Sequence, residues 1–142
     1  MLAVESLIRQ RLASIPDVPG GVASMADLST DAVAGRRSPA LFVGSLGHRI
    51  DDAKSPGAVR IASRWLVVAA VRNVSDVKGG AAARAEASDL IERVISLLYR
   101  WQPAPAFSPL MPVDAPRPEY AAGLLLYPLA WECQHLIERS DS

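Results

Sequence analysis

The sequence predicts a small α+β domain: a mostly antiparallel or mixed β-sheet packed by two helices, with a long β-hairpin arm. Three observations point there. Two segments carry apolar residues at helical spacing, one near the N-terminus and one over 81–99. Three others, 40–46, 58–73 and 121–138, are short apolar runs or alternate with a period of two. The chain has 142 residues, 50% of them apolar, which suits one domain over 1–142 with a real core.

Val4, Leu7, Ile8, Leu12 and Ile15 form one helical stripe, with Glu5, Arg9 and Arg11 off it. Pro16, Pro19 and Gly20–Gly21 end that helix. Gly21–Met25 reads as a short strand within a mixed stretch up to Arg37. Ala40–Leu46, bounded by Pro39 and Gly47, reads as a strand. The polar segment HRIDDAKSPG then turns the chain into Ala58–Asn73. There Val59, Ile61, Ser63, Trp65, Val67, Ala69 and Val71 share the parity expected to face the core. The other parity is basic at Arg60 and Arg64 and apolar from Leu66 to Ala70. Sixteen extended residues span about 50 Å, far beyond the usual ~17–20 Å of a strand. The strand therefore bends, or its first half leaves the body as an arm spanning His48 to Arg64. Two readings of the arm stand: a grip on a neighbouring subunit, or a surface hairpin without a partner.

Gly79–Gly80 is expected to break the chain before a helix over Ala81–Tyr99. Its stripe is Ala83, Ala87, Leu90, Ile91, Val94, Leu97, Leu98 and Trp101. The six prolines between Gln102 and Pro118 exclude a helix and leave a loop with an edge-type stretch around 107–113. A rigid connector is the favoured reading; the other is a docking loop presenting Phe107, Leu110 and Met111. In Ala121–Glu138, Leu125, Tyr127, Leu129, Trp131 and Cys133 make an apolar face. Pro128 places an edge or bulge at mid-strand. A short polar tail follows from about Glu138.

Composition excludes several functions. Fifteen basic and fifteen acidic residues give zero formal net charge, against a free-standing nucleic-acid binder. Asp27, Asp31, Asp51 and Asp52 offset Arg36, Arg37, Arg49, Lys54, Arg60 and Arg64 in the middle third. Interleaved signs suit a protein–protein rim better than a phosphate track. One Cys and two His supply neither an internal disulfide nor a Cys-rich metal site, and no cofactor motif is present. The N-terminal apolar run is interrupted by charge, and no run reaches membrane-spanning length, so cytosolic synthesis and no membrane are expected.

Catalytic motifs are weak. Gly79–Gly80 lacks the Lys–Ser or Lys–Thr of a phosphate loop. Asp51–Asp52 are adjacent, diverge, and read as a solvated turn. Ser45 in V-G-S-L-G misses the G-x-S-x-G spacing. Cys133 and His135 share a strand face, so a thiol–imidazole pair is chemically sensible. The better reading is a packed, inert thiol among Leu129 and Trp131. The interface candidates are thus Arg49, Asp51, Asp52, Lys54, Arg60 and Arg64 on the arm, with Phe107, Leu110 and Met111 on the proline-rich loop.

The order and spacing of these elements resemble the tail terminator proteins of long-tailed phages, particularly Mu-like phages and prophages. The resemblance runs from about Leu2 to Glu138. It is carried by LIRQRLASIPDVPGG, SPALFVGSLG, VRIASRWLVVAAVRN, DLIERVISLLYRWQP and YAAGLLLYPLAWECQ. It implies a structural virion protein of the tail, assembled in the host bacterial cytoplasm, with no enzymatic activity and no cofactor. The implied assembly is a homo-oligomeric ring of six copies. Such a ring caps the head-proximal end of the tail tube, stops tube polymerisation and meets the head–tail connector. The implied partners are the tail tube protein and the connector, with no sequence-specific nucleic acid, although DNA passes through such a ring. The alternatives are a neck or tail-completion protein, and a small enzyme using Cys133 and His135. The family implies no catalytic residue to carry over.

Overall fold

A computed structural model of the chain describes residues 1–27, 35–72, 79–121 and 123–141. The order is α1 (Ala3–Leu12), β1 (Val22–Ser24), a 3-10 turn (Met25–Asp27), β2 (Ala40–Asp52), β3 (Ala58–Arg72), α2 (Gly79–Leu98), β4 (Met111–Val113), β5 (Glu119–Ala121) and β6 (Leu124–Glu138). Asp31 and Asn73, used in the sequence argument, lie outside the described residues. The sheet has six strands in the order β1-β2-β3-β6-β4, with β5 also on β6. Only β1 and β2 run parallel; every other pair is antiparallel. This is the α+β architecture the patterning predicts.

Its spine is the β3–β6 pair. The two strands match residue for residue from Ala58↔Glu138 to Arg72↔Leu124, with no register shift. Because strand side chains alternate between faces, that register puts Trp65 against Trp131, Val67 against Leu129 and Ser63 against Cys133 on one face. Both helices cover that face. Val4, Ile8 and Leu12 of α1 and Leu90, Val94 and Leu98 of α2 join Leu41, Val43, Trp65, Val67 and Trp131 in the main core. The predicted inward set of β3 is correct from Ile61 to Val71, all of it buried.

The other face is also covered at the body end. Ala23, Ala40, Phe42, Val68, Ala70 and Leu124 form a second buried cluster, and the Arg36 guanidinium lies 5.5 Å from the Phe42 ring centre. The second parity of β3, apolar from Leu66 to Ala70, is thus buried within the chain itself at Val68 and Ala70.

Three sets of element boundaries differ from expectation. First, β2 does not end at Leu46 but runs to Asp52, its polar half held by backbone pairing to Arg60–Arg64. Hydropathy cannot register a strand solvated on both faces. The ladder shifts between Ser45 and Gly47, and Gly47, at φ 87°, supplies the left-handed residue of the bulge. Second, Gly79 and Gly80 are the first residues of α2, and the helix stops at Leu98 rather than Tyr99. Arg100, at φ 58°, turns the chain away.

Third, the segment from Ala121 is two strands joined through Gly123 at φ 75°. Of the edge or bulge expected at Pro128, the structure has the edge. In β6, Gln134 directs its N–H and C=O away from β3 to Ser108. Continuous register gives Pro128 the same outward direction, between the stretches paired with β5 and β4. Its missing N–H leaves no ladder bond unmade.

The Trp65–Trp131 contact sets the scale of the core: each indole is 1% exposed. Trp65→Ala should cost about 3–5 kcal/mol of folding stability, by the usual range for a buried Trp. Chemical denaturation of the two proteins measures it, and an unchanged midpoint contradicts the burial.

Candidate interaction surface

Beyond the helices the sheet continues as an arm. It consists of β2 from Leu46, β3 up to Arg64 and β6 from Glu132, so it is three-stranded rather than the expected two-stranded hairpin. Arg139 N–H donates to Gly57 O at 2.8 Å and ties the polar tail to the arm's end. In the turn, Lys54 N–H donates to Asp52 Oδ1 at 2.9 Å, a local Asx turn.

The arm's face opposite the helices is charged. Arg49 reaches Asp51 at 2.9 Å and Glu132 at 3.0 Å, and Arg64 reaches the other Glu132 oxygen at 3.1 Å. The Asp51 hydrogen bond, then the Glu132 charge, hold the Arg49 guanidinium above its ordinary pKa. Both arginine side chains remain nearly half exposed, so solvent screens these pairs and each adds little to stability. Their effect is therefore to fix side-chain directions on β2, β3 and β6 rather than to stabilise the fold. Glu132 binds both arginines yet was absent from the sequence candidates. Its signal was its place on the polar parity of β6, readable only once the β3–β6 register put it opposite Arg64.

The arm's apolar residues were missed too. Ile50 is 55% exposed, Leu136 59% and Ile137 46%. Ile50 shares the helix-side face with Ile61 by register, and Ile137 is paired with Val59 there. Leu136 is on the opposite face, paired with Arg60. The arm's end thus exposes apolar side chains on both faces.

The proline-rich loop is a clamp. Arg100 N–H donates to Leu110 O, and Leu110 N–H to Trp101 O, both at 2.9 Å. Ser108 and Gln134 exchange two 2.8 Å bonds. Leu110 is fully buried in the main core and Phe107 packs on that core. Leu110 therefore leaves the docking candidates, and Met111 stays exposed. The arm candidates Arg49, Asp51, Asp52, Lys54, Arg60 and Arg64 come together on one projection; the loop candidates Phe107 and Met111 lie apart from its end.

Cys133 lies in the core and His135 is half-buried at its edge. Cys133 is 1% exposed, and burial pushes its thiol up from the ordinary value. The His135 ring lies 4.9 Å from the Phe107 ring. Burial, the leading cause, lowers the His135 pKa, so its neutral form is favoured in the fold. Among the described residues no group of three or more His, Cys, Asp or Glu comes together, and no helix is long and apolar enough to cross a membrane.

A family model described as "Phage tail terminator protein" matches residues 1–142, the whole chain. No curated protein matches the sequence.

Two outcomes follow from the Cys133 and His135 surroundings. The Cys133 thiol should react with an aromatic disulfide reagent at pH 7.5 only on unfolding, with a half-time at least about tenfold longer than in denaturant. For His135, the unfolded chain binds a proton near the ordinary pKa of 6.5 while the fold resists it. Stability contributed by this site is complete above that value and falls as pH drops through and below it. Denaturation midpoints of the wild type should therefore decline between pH 7 and pH 5.5 more than those of His135→Phe.

Proposed function

The chain belongs to the phage tail terminator family, and from that premise we propose that it forms the ring that ends tail-tube growth. In this reading six copies close into a ring on the head-proximal end of the tube. The ring blocks addition of further tube protein and offers its free side to the head–tail connector. It assembles in the host bacterial cytoplasm and stays in the virion as a tail component.

The observation that carries the proposal is the whole-chain family match, residues 1–142. The arm is consistent with it. A ring of identical subunits needs two different patches on each copy, because each contact is heterologous. An arm with an apolar end and a charged face provides one such patch. Zero formal net charge removes the strong self-repulsion that would oppose gathering several copies.

The burial of Cys133 gives the enzyme reading no accessible nucleophile. A neck or tail-completion protein would use similar ring logic with another partner, and a deletion separates the two. Deleting the gene from a phage-producing strain should yield overlong tails unattached to filled heads, measured by electron microscopy. Tails of normal length would overturn the terminator role, and normal tails lacking heads would place the protein at the neck.

A further inference from the structure

The arm leaves two strand edges open. In an antiparallel pair, a residue turns its N–H and C=O either to its partner or away from it. Gln134 turns away from β3 to Ser108, so its partner Ala62 turns toward β2, where Arg49 meets it. The neighbours of Arg49 on β2, His48 and Ile50, therefore direct their main-chain groups off the sheet. On β6, Leu136 and Glu138 share the parity of Gln134 and direct theirs off the opposite side of the arm. Among the described residues, none of these four makes a hydrogen bond on its outer side. Pairing with β1 covers β2 only at Leu41–Val43, and on β6 the outer partners end with Ser108 at Gln134.

We propose that these edges join copies of the chain: the β6 edge of one arm pairs in parallel with the β2 edge of the next, so that the sheet runs on from subunit to subunit. The proposal deepens the ring reading above and rests on it. Three features of the arm make a second copy the occupant.

The first is direction. Both β2 and β6 run antiparallel to β3, so they run parallel to each other. An arm set beside another in the same orientation presents β6 to β2. Joining unlike edges is head-to-tail and repeats from copy to copy. Joining like edges is two-fold and stops at two arms.

The second is the main chain. With Glu138 level with the neighbour's Arg49, Glu138 N–H donates to the neighbour's His48 O. The neighbour's Ile50 N–H then donates to Glu138 O, and its His48 N–H donates to Leu136 O. This is the evenly spaced, slanted pattern of a parallel ladder. Every group in it is one that a single copy leaves without a protein partner, and an added strand satisfies such an edge.

The third is the side chains. Arg49 and Glu138 share the face opposite the helices, and Glu138 makes no ion pair among the described residues. The register above sets these unlike charges side by side. A slip of two residues sets Glu138 beside Asp51, and adjacent like charges are destabilising. In the charge-matched register Ile137 lies beside His48 and diagonal to Ile50, so two side chains that are 46% and 55% exposed cover each other. Leu136 falls beside Gly47, where the space a side chain would take is open.

The test is crosslinking of the full chain. His48→Cys and Ile137→Cys are made singly and together; both positions are exposed. Within one copy they lie two strands and four positions apart, about 17 Å, beyond a short bifunctional thiol reagent. Each protein is treated with such a reagent, as purified protein at high concentration and in tails isolated from phage-producing cells. The wild type, with buried Cys133, is the control. Ile50→Pro and Ile50→Ala are then added separately to the double variant. Proline removes only the outward N–H of Ile50, as Pro128 does in β6. Circular dichroism checks that each variant folds.

The expected result is a ladder of covalent dimers, trimers and higher species from the double variant. Each single variant should lose at least nine-tenths of that product. Ile50→Pro should remove at least nine-tenths of it, and Ile50→Ala should leave most of it. A ladder absent from both preparations overturns the joint. Either single variant crosslinking to itself as efficiently as the double variant also overturns it, because that shows like edges meeting. A folded Ile50→Pro protein with an undiminished ladder overturns the main-chain pairing. If Ile50→Pro does not fold, the double and single variants decide. The tail-length phenotype of the deletion is independent of these products. A ladder with normal deletion-strain tails would keep the joint and reject the terminator role; overlong tails without a ladder would do the reverse.

Discussion

The rest of the structure depends on the unbroken register between β3 and β6. Fifteen residues of each strand pair without a bulge, from Ala58↔Glu138 to Arg72↔Leu124. A strand alternates faces at every residue, so one registered pair decides the facing of thirty side chains. The two indoles, the buried thiol, and Leu125 and Leu129 of β6 fall on the face that α1 and α2 cover. Arg60, Arg64, Glu132 and Leu136 fall on the other. A slip of one residue would bring Arg64 and Glu132 toward the helices, where unsolvated charge is prohibitive. The core thus enforces the register, and the register places the charged face of the arm.

The same pair explains why the arm can exist. A two-stranded hairpin reaching past the core is marginal in water, whereas a third strand adds a second ladder. Here β6 continues beside β3 to Glu138, and the tail is tied back through Arg139 to Gly57. The ion pairs around Arg49 and Glu132 add little energy but link β2 to β6 across β3. The bulge at Gly47 lies where β2 leaves the body. Bulges bend and twist an edge strand, which makes it a poorer template for indiscriminate pairing.

How much of this was legible in the sequence follows from where burial is one-sided. The stripes of α1 and α2 are one-sided, and in β3 the inward parity is marked off by Arg60 and Arg64 on the other, so the sequence predicts them residue by residue. The arm part of β2 is exposed on both faces, so Gly47–Asp52 alternates nothing and reads as a turn, although it is a strand. Strand partners are invisible to periodicity altogether. The third strand of the arm, the Glu132 bridge and the exposed pair Ile50 and Ile137 all require the register before they can be found. Leu110 shows the converse error: an apolar residue between prolines reads as a surface contact, yet two backbone bonds to the end of α2 draw it into the core. Pro128 reads as an edge or a bulge, and only the register decides for the edge, its outward side lying between the stretches paired with β5 and β4.

The same register bears on how one chain can carry two different binding edges. The open edges of β2 and β6 lie on opposite sides of the arm, with β3 between them. The body end is closed on both faces by the two helices and by the Phe42 cluster, so little apolar surface remains there for non-specific association. A rigid spine that fixes the spacing and direction of the two edges fixes the geometry of successive copies, and that geometry decides whether a head-to-tail chain closes into a ring or runs on as a filament.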